Sequence, residues 1–192
     1  MIHIDYQQLS PQHFDAVIQL GNDVHGDNYL DQAAIQRIYQ LGLKDNINAS
    51  WVAMDQDKLV GFRLTIAAGN WQPDKWCSPE LWPTSIDKTC YFKCNTVNPD
   101  YQGSGIGSAM LKRSVESARQ QGAQAGLAHI WLASPGNSAF KYFSKCGGKL
   151  IKEHPGKWLE NCIYDGYVCP ICGTDCDCVA AEMLLPFNDT SF

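Results

Sequence analysis

Apolar positions in this chain follow a spacing that changes from segment to segment. Residues 2–6 alternate, with Ile2 and Ile4 set between His3 and Asp5, the period of a strand. Pro11 then opens a helical stretch carrying Phe14, Val17, Ile18 and Leu20, which closes near Gly21 or at His25 and Gly26. A second helix is predicted over 30–41, ending at Gly42. Residues 51–54 and 59–66 read as two strands joined by the polar turn Asp55-Gln56-Asp57-Lys58. The pattern breaks over 69–88, where Gly69, Pro73, Pro79 and Pro83 punctuate a loop carrying Trp71, Trp76 and Trp82. A loop this long packs on the core through its tryptophans, lids a cleft, or does both.

Regular spacing resumes with a strand over 89–97. Cys90, Phe92 and Cys94 share one of its faces, as buried thiols do beside an aromatic ring. A glycine-rich turn follows. Next comes a helix over 106–121, in which Leu111, Val115 and Ala118 line one face before Gly122 ends it. A strand over 128–133, a short helix over 137–145 stopped by Gly147-Gly148, a strand from Leu150, and a last strand over 179–185 complete the series. This order predicts an α/β (α+β) fold, a single mixed sheet with helices on its faces.

A length of 192 residues corresponds to one domain spanning 1–192, long enough to bury a core without staples. The net charge of -5 disfavours nucleic acid and mildly favours cationic partners such as amines. The N-terminal residues lack the basic and apolar regions of a secretory signal, and no apolar run reaches membrane-helix length. The expectation is a cytoplasmic protein, a monomer or homodimer, with its nine cysteines held as thiols or metal ligands.

The most informative segment is Val97-Asn98-Pro99-Asp100-Tyr101-Gln102-Gly103-Ser104-Gly105-Ile106-Gly107-Ser108, which leaves a strand and opens a helix. Three glycines let the backbone approach a ligand closely, and the amides of a helix start form an anion site. A dinucleotide fingerprint would follow the first strand rather than come this late. A phosphate loop would need Lys after its last glycine, and none is present.

In this order of elements, Gln102-Gly103-Ser104-Gly105-Ile106-Gly107 resembles the Q/R-x-x-G-x-G/A signature of the GNAT N-acetyltransferase superfamily. The resemblance covers residues 2 to about 153 and resumes at the last strand. It implies a mostly antiparallel sheet with helices on both faces, and acetyl-CoA as co-substrate. Amides from Gln102, Gly103, Ser104, Gly105, Ile106, Gly107 and Ser108 would hold the pyrophosphate. Thr96 and Val97 would bond the pantetheine arm at a splay between the fourth and fifth strands. The implied reaction is acetyl or short-acyl transfer to a primary amine, on a small molecule or a protein, by direct attack. The family also carries N-x-x-A-x-x-x-Y before a G-F pair, the Asn touching the cofactor arm and the Tyr protonating the thiolate. Matching Ala139 and Gly147 leaves Asn137 and Tyr142 each one residue off, with Phe143 at the Tyr position. Asn137 is the arm-binding candidate and Tyr142 the candidate acid. The Glu usual on the fourth strand is missing, which leaves His129 as a candidate base. An alternative reading is an acyl-CoA-binding sensor or interaction module of weak activity.

Four cysteines fall within ten residues, Cys169, Cys172, Cys176 and Cys178, in an insert at about 160–178 before the last strand. Cys-Pro-Ile-Cys-Gly looks like a zinc knuckle, and four thiolates suit tetrahedral Zn(II). The spacing is shorter than that of a zinc ribbon, so an iron–sulfur cluster, free thiols or a labile disulfide stay open. Cys162 is near enough in sequence to replace one ligand.

Overall fold

The computed structural model describes residues 3–189. Strand β1 spans Ile4–Gln8; Ile2, part of the predicted strand, lies outside the described residues. A 3-10 turn at Pro11–His13 leads into α1 (Phe14–His25), followed by α2 (Gln32–Gly42). The small hairpin β2 (Leu43–Lys44) and β3 (Ile47–Asn48) is too short for an alternation to announce it. Then come β4 (Trp51–Asp55), β5 (Lys58–Ile66), β6 (Thr89–Val97), α3 (Ile106–Gln120) and β7 (Ala125–Trp131). Helix α4 (Ser138–Lys145), β8 (Lys149–Pro155), α5 (Leu159–Tyr164) and β9 (Val179–Pro186) complete the chain. β7 starts three residues before the predicted strand because Ala125, Gly126 and Leu127 are buried and present no polar alternation. Helix α5 inside the insert is an element the spacing did not predict.

Seven strands form one sheet in the order β1-β4-β5-β6-β7-β9-β8. Only β6 and β7 run parallel; every other neighbour is antiparallel. On one face, Phe62, Leu64 and Ile66 of β5 pack against Val17 and Leu20 of α1 and Ile35 and Ile38 of α2. On the other, Val60 meets Ile106 and Met110 of α3, while Leu111 and Val115 join Phe92 and Phe143. Each fully buried side chain of this size contributes about 1.5–3 kcal/mol, so these two layers carry the fold.

On the α1/α2 side, the tryptophan loop packs over β7 and β9. Trp82 is buried against Ala125, Leu127 and Leu184, and Trp71 lies over Tyr91 with ring centroids 5.1 Å apart. The loop is pinned by Glu182, a carboxylate with no exposed surface. Glu182 accepts hydrogen bonds from Ser78 N–H, Trp82 Nε1 and His154 Nε2, each at 2.8 Å. Burial alone would raise the Glu182 carboxyl, but these donors outweigh it and hold the group below its ordinary value. The folded-state value is depressed, so this stabilisation is present above the unfolded carboxyl value of 4.5 and is lost as pH falls through the lower folded value. Glu182→Gln is expected to cost about 1–3 kcal/mol at neutral pH and to lose less in acid than the parent. Thermal melts across pH 3–7 check this, roughly the window where a carboxyl titrates.

Candidate active site

The candidate site residues lie around the place where the parallel pair separates. β6 pairs with β7 only from Thr89↔Ala125 to Phe92↔Ala128. Beyond Phe92, β6 stays with β5 as far as Gly61↔Val97, and β7 stays with β9 as far as Trp131↔Ala180. A V-shaped gap therefore opens at the carboxyl ends of two parallel strands, the kind of place where open sheets bind ligands. A bulge marks its start. Leu64 faces Cys94 and Thr65 faces Phe92, so Lys93 is an extra residue. One added residue flips every later side chain to the other face. This corrects the expected shared face: Cys90 and Phe92 lie in the α3 layer, while Cys94 lies in the α1/α2 layer.

The glycine turn sits at the mouth of the gap. Asn98 caps a 3-10 turn at Pro99–Tyr101, and the chain then enters α3 through Gly103 (φ 79°) and Gly105 (φ 84°). These are left-handed values that side chains with a Cβ resist. The first helical bond runs from Ala109 N–H to Gly105 O. The amides of Ile106, Gly107 and Ser108 thus precede the ladder, at the positive end of a fifteen-residue helix. Gly107 serves a different purpose. A Cβ there would lie 3.4 Å from Asn95 Nδ2 and 3.9 Å from Tyr142 Cζ, so a small residue lets these side chains close on the helix start.

On the α3 side, several buried polar atoms have no protein partner. They are Asn95 Oδ1, Asn137 Oδ1, and Nε and Nη1 of Arg63, a guanidinium only 2% exposed that lies 4.5 Å from the Phe92 ring. Arg63 and Asn95 are register partners across β5 and β6. Asn137 caps α4 in the left-handed region (φ 52°) on the segment following β7. Buried polar groups are normally satisfied. Orphans around the gap fit a ligand with amide and carbonyl groups lying in it, as a pantetheine arm would.

The one-residue offset in α4 has a structural answer. Phe143 enters the core with its ring 6.1 Å from Phe92. Tyr142 turns instead toward α3, and its hydroxyl donates to Gly107 O at 2.9 Å. Burial pushes the Tyr142 phenol up to about 12. His129 is held at both nitrogens: Nε2 donates to Trp76 O at 2.6 Å and Nδ1 accepts from the Tyr91 hydroxyl at 3.0 Å. Burial lowers this imidazole to about 4, so at neutral pH it is uncharged with its proton on Nε2.

A polar group that the sequence did not single out occupies the α1/α2 side of the gap. His25, the last residue of α1, places Nε2 at 2.7 Å from Thr96 Oγ1 and 3.7 Å from Cys94 Sγ. Cys94 Sγ is also 3.2 Å from Thr96 Oγ1, and the Tyr29 ring lies on the His25 ring at 4.5 Å. Burial would raise the Cys94 thiol, but the adjacent His25 and the hydrogen bonds from Thr96 and Tyr29 bring it below its ordinary value. Seventy-one residues separate His25 from Thr96, so no local spacing links them. A histidine at the predicted close of the first helix was the one available signal.

The four insert cysteines come together. Their sulfurs all lie within 4.8 Å of one another, with 3.8 Å between Cys169 and Cys178 and 3.3 Å between Cys172 and Cys178. Cys169 and Gly173 exchange two backbone hydrogen bonds of 2.9 Å, which close the knuckle. Cys162 packs in the same buried cluster but is not one of these four, its thiol toward Gly173 O at 3.7 Å.

The GNAT acetyltransferase family model matches residues 14–147, which include the turn, the gap and α4. The chain belongs to the GNAT acetyltransferase family. No curated protein matches it at the sequence level. Among solved structures, it is similar to Ard1 from Thermoplasma volcanium, with 14% identity, a TM-score of 0.67, and coverage of 95% of this chain and 97% of that one. It is similar to the ribosomal-protein-S18-alanine N-acetyltransferase from Escherichia coli at 12% identity and a TM-score of 0.66, covering 96% and 94%. It is also similar to yncA from Salmonella typhimurium, solved with acetyl-CoA, at 16% identity and a TM-score of 0.66, covering 96% and 94%. At these identities the likeness is one of fold. Like other GNAT chains, this one is built on a mixed, mostly antiparallel seven-stranded sheet. No helix among its described residues is long and apolar enough to cross a membrane.

Proposed function

We propose that this GNAT chain transfers an acetyl or short acyl group from acetyl-CoA to a primary amine by direct attack. The observation that carries the reading is the gap between β6 and β7 opening onto the glycine turn and the free amides of α3. Gln102 to Ser108 would cradle the pyrophosphate through backbone N–H groups, without a cationic side chain. Thr96 and Val97 would bond the pantetheine arm, with Asn137 and Asn95 offering their unpaired carbonyl oxygens. Acetyl-CoA supplies the acyl thioester; this chain's residues position it and manage protons.

On the acceptor side, His25 takes the proton of the ammonium as its nitrogen approaches the thioester carbon. Its place beside Thr96 puts it within reach of the gap, and a positioned base of this kind contributes about 10²–10⁴-fold. Tyr142, beside the start of α3, stays the candidate acid for the departing thiolate, because a phenol protonated at neutral pH can donate. His129, uncharged and bonded on both sides, tethers the tryptophan loop to β7 in this reading. The four insert cysteines would suit a zinc ion in a structural role, since four protein ligands leave no open coordination position.

The acceptor is an amine on a small molecule or at a protein N-terminus. The Escherichia coli neighbour is named for the second kind of substrate. Incubation with acetyl-CoA and a panel of amines, read as free thiol release, tests the reading. Thiol release dependent on one amine class supports it. Tight CoA binding with no release from any amine favours the sensor alternative.

A further inference from the structure

The insert cysteines stand next to the corner of the fold that carries His25. Segment 166–168 immediately precedes the first of them and docks on segment 25–28, which joins α1 to α2. Tyr167 OH donates to His25 O at 2.9 Å, Val168 N–H to Asp27 O at 3.2 Å, and Asn28 Nδ2 to Gly166 O at 2.9 Å. The Tyr167 ring also lies 6.3 Å from the Tyr29 ring. The approach is close enough that Gly26 admits no side chain: a Cβ there would fall 2.1 Å from Val168 O.

Segment 165–178 has little of its own to keep it in this position. Between α5 and β9 the described residues contain no helix or strand, and the only bridge is Cys169↔Gly173. Fixing a residue's backbone costs about 1–2 kcal/mol, so fourteen residues need a strong local constraint. The thiols offer one. With Zn–S bonds of about 2.3 Å in a tetrahedron, sulfurs sit roughly 3.8 Å apart. The 3.8 and 3.3 Å separations found here are near that value and far above the ~2.05 Å of a disulfide. Three of the four residues are buried, against Trp131 at the end of β7, Trp158 and Tyr167.

We infer that Cys169, Cys172, Cys176 and Cys178 bind one Zn(II) ion, and that the loaded knuckle clamps the α1–α2 corner, holding His25 at the gap. The four thiols release protons as they bind, so occupancy falls as pH drops. The ion is remote from the chemistry and acts through position. The clamp's effect on turnover rests on the acetyltransferase reading; metal binding and the clamp itself do not.

The test uses the full chain purified without chelator. Elemental analysis is expected to find about one equivalent of zinc. Stripping the metal with a strong chelator should speed amide exchange in 22–31 and 165–178 by at least about tenfold, leave the amides of α3 protected, and be reversed by added zinc. If the parent enzyme turns over, the stripped protein should lose kcat while keeping its affinity for CoA. A Cys169→Ser, Cys172→Ser variant should reproduce the stripped state; if it does not fold, metal removal and return from the parent give the same comparison. Less than about a tenth of an equivalent of any metal overturns the site. Iron with inorganic sulfide overturns the assignment to zinc. Bound zinc whose removal leaves 22–31 unchanged overturns the clamp. Zinc and altered exchange without thiol release from any amine would leave the clamp standing and refute the acetyltransferase reading.

Discussion

His25→Gln is expected to lower kcat by about 10²–10⁴-fold, with a much smaller change in the KM for acetyl-CoA. Glutamine keeps a polar end near Thr96 Oγ1 but cannot take the proton of an incoming ammonium. Steady-state rates with the best amine from the panel provide the measurement. Cys94→Ala is the control, because Cys94 touches both His25 and Thr96. Under direct attack its loss leaves turnover near the parent's. If instead Cys94→Ala abolishes turnover and the parent gains an acetyl group on Cys94 without acceptor, a covalent thioester route replaces direct attack. A kcat in His25→Gln within about tenfold of the parent's places the base elsewhere.

The second large effect is on the cofactor. Gly105→Val should weaken CoA binding by at least about tenfold, or about 1.4 kcal/mol, by titration calorimetry. Two causes add. Gly105 has φ 84°, where a β-branched residue is strained by roughly 1–2 kcal/mol. The position is otherwise open, with no atom within 4 Å of a built Cβ, so the new side chain occupies the space a phosphate would enter. That openness also means the fold survives, with a modest drop in melting temperature. An unchanged Kd in a folded Gly105→Val protein would remove the turn as the pyrophosphate site.

Much of this molecule was legible along the chain because its signals are local. The strand at Thr89–Val97, the helix starting at Ile106 and the turn between them follow from alternation, helical spacing and glycine placement. The cysteine spacing anticipated a cluster, since Cys-Pro-Ile-Cys-Gly is itself a local turn signal. The turn residues Gln102 to Ser108 join the end of β6 to the start of α3.

Other features depended on contacts between distant segments. The bulge at Lys93 is invisible in a run of nine strand-like residues, yet it decides that Cys94 faces α1 and Cys90 faces α3. Tyr142 and Phe143 are adjacent, and only the packing of Phe143 against Phe92 determined which ring would leave the core for Gly107. His129 reads as a titratable base in sequence; its two hydrogen bonds come from Tyr91 and from the tryptophan loop, 38 and 53 residues away. His25 meets Thr96 because a helix end and a strand end cross the sheet at one point. By itself the sequence determined the longer elements, the glycine turn and the thiol cluster, since backbone geometry and side-chain period act over a few residues. The tertiary structure alone decided which polar groups face the gap, because burial and hydrogen-bond partners are set by which distant surfaces close together.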